Sequence, residues 1–262
     1  MRLTLARRIE TPTPLEIERY ALDALRGELA CYPKPGLVSF VDRGSHADMD
    51  ASTFLRSIDA LTGYFEAIAA AGVDGAPFAV LNQLGRDAER RMLEATGGIN
   101  THRGAIFALG LLAAAGGDCD LVAMRWGAEI SAAGSAPDSH GSKMRVAHGV
   151  AGARAEAASG FPTVRHALAQ YRSTLAFTRS RERAAVDAFF ASMAVLDDTN
   201  LLYRGGADGL AMAQREAALF LHERGDLQRA TALHHQFVAR NLSPGGSADI
   251  LAAVLFLDAL AA

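Results

Sequence analysis

The sequence predicts an all-α fold built as a single globular domain. Of its 262 residues, 50% are hydrophobic and only 7% aromatic, and alanine and leucine supply much of the apolar content. That composition favours packed helices over sheets. Apolar residues recur at helical spacing in one segment after another, and no stretch alternates with the period of two that marks a strand. No linker divides the chain, so we expect one domain over residues 1–262, with 1–13 as a flexible N-terminal extension.

The elements follow in order. Thr13 before Pro14 reads as an N-cap and first helical position, with Ile17, Ala21, Leu25 and Leu29 on one face of a helix from Pro14 to Ala30. Tyr32 to Gly36 stops it, and a long irregular loop reaches Met49; loops of this length in compact domains tend to carry function. A second helix starts at Asp50 or Ser52 and its stripe of Phe54, Ile58, Leu61, Phe65 and Ile68 runs to Ala71; a third spans Pro77 to Glu94. The fourth follows a polar turn, with Asn100 or Thr101 as cap, and continues to Ala115. Asp120–Ala133, Lys143–Ala158, Val164–Ala176 and Ser180–Leu196 come next, then a short start near Asp198, followed by Leu210–Arg224, Asp226–Asn241 and a terminal helix from Asp249 to Leu260. Phe107–Leu112 and Ile250–Leu257 are apolar all round, which places both helices inside the bundle.

Charge and length exclude several function classes. A net charge of −3 does not suit a protein that coats nucleic acid or an anionic membrane. The longest uncharged apolar run, Gly104 to Gly117, is shorter than the ~20 residues of a bilayer span. The N-terminus lacks a signal-peptide core, and Cys31 and Cys119 form no paired motif, so a cytoplasmic location with reduced thiols is expected. The Walker phosphate loop, the serine-hydrolase elbow and the zincin motif are absent.

What remains is a set of polar turns before helices: Lys34 to Asp50, Gly97 to Gly104, Asp197 to Gly209 and Ser243 to Asp249. Glycine lets a backbone approach a ligand closely, so Ser243-Pro244-Gly245-Gly246-Ser247 reads either as a phosphate nest or as a plain turn between helices. At the start of the fourth helix, free N–H groups, the dipole, His102 and Arg103 meet at a point suited to an anion. Lys34 and Arg204 add charge suited to a polyphosphate. Asp48, Asp50, Asp197 and Asp198 are candidate ligands for magnesium; helix capping is the competing use of Asp50 and Asp198. Glu89 is either an inward acid or a surface ion-pair partner, and of the eight histidines His46 and His102 are the site candidates.

Five motifs can now be taken together: Pro33-Lys34-Pro35-Gly36-Leu37-Val38, Gly44-Ser45-His46-x-Asp48-Met49-Asp50, Asn100-Thr101-His102-x-Gly104-Ala105-Ile106-Phe107, Asp198-Thr199-Asn200-Leu201-Leu202 and Ser243-Pro244-Gly245-Gly246-Ser247-Ala248-Asp249. Their set and order resemble the triphosphoribosyl-dephospho-coenzyme A synthase family over Ala21 to Leu257. Arg103 stands where the family pattern suggests lysine, and Tyr203 where histidine is frequent.

The resemblance implies a pentosyltransferase that moves the triphosphoribosyl group of ATP to the 2′-hydroxyl of 3′-dephospho-coenzyme A and releases adenine. Its product would pass to a holo-carrier-protein synthase and become the prosthetic group of an acyl carrier protein, in malonate decarboxylase or citrate lyase. The oligomeric state is not implied. Breaking the N-glycosidic bond puts positive charge on the ribose and negative charge on adenine, which calls for an acid near the base and carboxylates near the sugar. Asp48, Glu89 and Asp198 are the candidates, with an aspartate or His102 to take the acceptor proton. Lys34, Arg103, Arg204 and the Ser243, Gly245, Gly246 and Ser247 segment would hold the triphosphate, with Ser45, His46, Asn100, Thr101 and Asn200 as further substrate contacts and magnesium neutralising part of the charge. Two other readings fit the same turns: a magnesium-dependent helical hydrolase of ADP-ribose or nucleotide conjugates, and a non-catalytic nucleotide-binding adaptor.

Overall fold

The computed structural model describes residues 12–133 and 152–261. These residues fold into twelve α-helices, with no strand among them. Most helix starts are set by local capping. Thr13 accepts the Glu16 N–H while Glu16 reaches back to the Thr13 backbone, closing a capping box on α1 (Pro14–Ala30). Asp118, Ser180 and Asp226 cap α6 (Cys119–Ala132), α9 (Arg181–Val195) and α11 (Leu227–Ala239), each accepting a first-turn backbone N–H without the reciprocal bond. Pro77 precedes α4 (Phe78–Thr96), and α8 (Pro162–Thr178) has proline in its first turn. α7 (Gly152–Ala158) is the described part of the helix expected from Lys143; its earlier residues, and most of the expected N-terminal extension, lie outside the described residues.

The structure corrects the sequence reading in three places. The expected helix from Asp50 to Ala71 is two, α2 (Ala51–Ala60) and α3 (Tyr64–Val73), because Gly63 takes a left-handed φ of 83°. The short start near Asp198 and the following helix are, as read, two helical segments within α10 (Thr199–His222), but the kink between them is at Gly206, so the second begins a few residues before the expected Leu210. The last helix, α12, runs Gly245–Leu260 and so begins four residues before Asp249, inside the glycine-rich turn.

As expected, α5 (Arg103–Ala114) and α12 form the interior. Ile106, Leu109, Leu111 and Leu112 of α5 are buried, as are Leu251, Val254, Phe256 and Leu257 of α12. α12 packs against α1, α5, α8 and α9, and α5 also lies against α3 and α4. This central pair matters for the site because the N-terminal ends of α5, α10 and α12 come together, carrying three of the motifs with them.

Candidate active site

The junction of α10 and α12 is built around Asp198. This buried residue caps α10: its Oδ1 accepts the N–H of Asn200 at 2.9 Å and of Leu201 at 3.4 Å. Its Oδ2 accepts the backbone N–H of Ser247 at 2.9 Å and the Ser247 hydroxyl at 3.3 Å. Burial pushes its carboxyl up, while the Ser247, Asn200 and Leu201 donors pull the other way. Asn200 lies against the first residue of α12, with its Nδ2 2.6 Å from where a Gly245 side chain would begin. Gly246 is similarly close to Asp198, at 3.1 Å from Oδ2. Thus Asp198, Asn200, Gly245, Gly246 and Ser247 form one contact group. The glycine-rich segment is the first turn of a helix whose Ser247 N–H already serves a carboxylate, rather than an open nest.

The start of α5 is closed in a related manner. Asn100 accepts the Arg103 N–H at 3.1 Å, and the Ala105 N–H goes to the carboxylate of Asp249. Oδ2 of Asp249 sits 1.9 Å from the position a Cβ on Gly104 would occupy, so only glycine admits it. The helix end expected to face a bound anion is therefore occupied by the protein's own Asp249 carboxyl group. Sequence reasoning began the terminal helix at Asp249 and named no role for it in the site; its signal was its place at the end of the Ser243–Asp249 motif.

His102 lies beside this junction and is buried. Its Nδ1 is 2.6 Å from the Ser57 hydroxyl, which in turn accepts the Thr101 hydroxyl at 2.7 Å, and its ring meets Phe54 edge-on. Nε2 is buried and has no hydrogen-bond partner among the described residues. Burial, with the Lys34 ammonium nearby, pushes its pKa down to about 3. A ring with so little affinity for a proton is a poor general base, which weighs against that expected role. Ser57 was not among the residues singled out from sequence.

Lys34 is also buried. Its ammonium contacts the carboxylate of Glu28 and donates to the Glu28 carbonyl at 2.6 Å. The expectation of a free cation for a triphosphate meets a cation already paired inside the protein. The Lys34 carbonyl in turn lies 2.9 Å from Nδ1 of His234.

A third group ties the loop after α1 to the turn before α12. Gly36, with a φ of +71°, leaves only 2.0 Å between its missing Cβ and the Leu242 carbonyl, which the Ser45 hydroxyl reaches at 2.6 Å. Arg204 donates to the Ser45 carbonyl and the Asn241 side chain, both at 2.8 Å, and to Nδ1 of His46 at 3.1 Å. With Nδ1 accepting, the proton of neutral His46 is on Nε2, which faces the Ser243 hydroxyl at 2.8 Å. Burial and Arg204 push His46 down to about 4. Asp48 is exposed at the edge of this group, 3.8 Å from His46.

The remaining candidates do not join these groups. Arg103 and Glu89 form an ion pair at 2.5 Å, both partly exposed. Asp50 caps α2, and Asp197 is exposed. The four aspartates expected to bind magnesium do not meet, and among the described residues no three His, Cys, Asp or Glu side chains are placed to hold a metal. Because Asp198 is saturated by backbone and hydroxyl donors and Asp50 by its capping bonds, the residues present do not fit a resident cation. A shallow hollow of about 400 Å³, lined by Gly116, Asp118, Arg165, Arg172 and Leu257, lies at the opposite end of α12.

Comparison with known proteins gives a consistent result. The family model described as ATP:dephospho-CoA triphosphoribosyl transferase matches residues 14–262. A probable 2-(5″-triphosphoribosyl)-3′-dephosphocoenzyme-A synthase of Acinetobacter calcoaceticus is 39% identical, covering 93% of this chain and 90% of the relative. One of the same description from Pseudomonas aeruginosa (strain UCBPP-PA14) is 42% identical over 92% of this chain and 89% of its own length. The 2-(5″-triphosphoribosyl)-3′-dephosphocoenzyme-A synthase of Klebsiella pneumoniae is 38% identical over 98% and 94%. No solved structure matches. On a family match that spans all the motifs and all twelve described helices, the chain belongs to the ATP:dephospho-CoA triphosphoribosyl transferase family.

Proposed function

We propose that this chain transfers the triphosphoribosyl group of ATP to the 2′-hydroxyl of 3′-dephospho-coenzyme A, releasing adenine. The observation that carries this reading is the meeting of three motifs at the joined ends of α5, α10 and α12, through Asp198 with Ser247 and Asp249 with Gly104. Carboxylates held by oriented donors in a desolvated setting suit a reaction that develops positive charge on a ribose carbon. Arg103, Arg204 and the α12 start are the groups we assign to the phosphates, which stay on the product and need no Walker loop. Magnesium enters this reading as the counter-ion of the triphosphate, with water and phosphate oxygens as its main ligands.

The reading extends to a cytoplasmic enzyme whose product passes to a holo-carrier-protein synthase. Two free, buried cysteines, and the lack among the described residues of any single helix long and apolar enough to cross a membrane, support that setting. Of the two pathways, we assign the acyl carrier protein of malonate decarboxylase, on overall sequence likeness alone. Chromatography of ATP incubated with the protein, with and without dephospho-coenzyme A, tests the activity. Adenine only with the acceptor present is expected. Adenine without acceptor indicates the hydrolase instead, and nucleotide binding without adenine indicates the adaptor.

A further inference from the structure

The geometry points to Asp249 as the general acid that protonates departing adenine. This rests on the triphosphoribosyl-transfer reading and names a residue for its proton-delivery step.

Three neighbouring carboxyl groups differ in what supports their charge. Glu28, on α1, is paired with the Lys34 ammonium. Asp198 receives the N–H groups of Asn200, Leu201 and Ser247 and the Ser247 hydroxyl. Among the described residues Asp249 draws only on the Ala105 N–H, and it faces the charges of both other carboxyls. With Lys34 committed to Glu28 and His102 neutral, these groups hold more anions than cations, and one carboxyl must keep its proton. The least supported of the three is Asp249. Burial first, then the Asp198 and Glu28 charges, push its carboxyl well above the usual range. Pairs of carboxyls whose surroundings drive them apart are the ones that divide into acid and charge stabiliser. Asp198 is the stabiliser, and Asp249, half-buried where Asp198 is wholly buried, is the acid.

A second feature shows that the junction is built for a ligand. With Nδ1 of His102 turned to Ser57 on α2, Nε2 is buried and has no hydrogen-bond partner among the described residues, two residues before the glycine on which Asp249 rests. A buried polar atom left unpaired costs about 1–3 kcal/mol, which substrate contact would recover.

In the step itself the C1′–N9 bond of ATP breaks, and adenine leaves with its electron pair. The Asp249 proton goes to a ring nitrogen of adenine. The acceptor 2′-oxygen forms the new bond to C1′ and releases its proton to solvent, from which Asp249 is reloaded, so each turnover balances.

Leaving-group dependence tests the assignment. Asp249→Asn should lower adenine release from ATP by about 100-fold or more, yet leave transfer from nicotinamide riboside 5′-triphosphate within about threefold of wild type, because a pyridinium departs as a neutral base without a proton. Equal losses with both donors overturn the proposal. Infrared spectroscopy of the unliganded wild-type chain gives an answer even where the variant fails to fold. A protonated-carboxyl band at neutral pH that shifts in D₂O is expected, and its absence overturns the proposal. A wild-type chain that releases no adenine instead defeats the parent reading, independently of the infrared result.

Discussion

The Asp198 carboxylate accepts the Ser247 backbone N–H at 2.9 Å across 49 residues of sequence, so one side chain both caps α10 and fastens the start of α12. Asp198→Asn keeps the shape but turns an amide N–H toward donors. A stability loss of about 1–3 kcal/mol in urea unfolding is expected. Adenine release should fall by about 100-fold or more. Wild-type turnover in this variant removes Asp198 from the chemistry.

Gly104→Ala places a methyl 1.9 Å from the Asp249 carboxylate and should destabilise by about 1–3 kcal/mol, as overpacking does. In an Asp249→Ala background the clash is gone and only helix propensity is left, where alanine is better than glycine by about 1 kcal/mol. The same substitution should then be neutral or stabilising. A double-mutant cycle read by thermal unfolding checks the reversal of sign.

Lys34→Ala leaves the Glu28 carboxylate buried without its cation. A loss of about 3–5 kcal/mol is expected. Lys34→Met combined with Glu28→Leu should recover most of it. If Lys34 instead acts mainly on phosphate, calorimetry will show weakened ATP binding in Lys34→Ala with stability intact.

Arg103 and Glu89 share a partly exposed ion pair. Arg103→Ala should therefore cost less than about 1 kcal/mol of stability. ATP affinity should fall, and calorimetry showing unchanged affinity counts against a phosphate contact.

His102 and His46 are held neutral, with their pKa values pushed down to about 3 and about 4. The unfolded chain takes up these protons first, near pH 6.5. Their contribution to stability is thus full above pH 6.5 and is lost as pH falls from there toward 4 and 3. The loss should be on the order of 3–5 kcal/mol for each histidine, and His102→Gln should flatten the profile in urea titrations at stepped pH.

The features legible in sequence are those decided locally. Thr13, Asp118, Ser180 and Asp226 sit a few residues from the N–H groups they receive or help organise, and each helix start was found to within a residue or two. The break at Gly63 was hidden because the stripe of Ile58, Leu61, Phe65 and Ile68 continues through it, all four being buried on either side. The site was legible as motifs and opaque as contacts. Lys34 looked like a phosphate ligand because its partner Glu28 lies on the α1 face that a helical stripe assigns to the core. Asp249 read only as the start of the last helix because the glycine it rests on belongs to another helix. Charge balance in a buried junction depends on which groups face each other, and spacing along one chain does not record that.

The clasp between the loop after α1 and the turn before α12 also orders events in time. Its bonds link residues 197 apart, Ser45 to Leu242 and His46 to Ser243, and the Lys34 carbonyl meets His234 across 200. A ribosome delivers the loop well before its partners, so a growing chain holds a polar loop with nothing to close on until residues 234–243 emerge. Such distant pairings form late and slowly. On the proposed function, a site able to hold nucleotide should therefore form in one step, only after residues 234–243 have emerged.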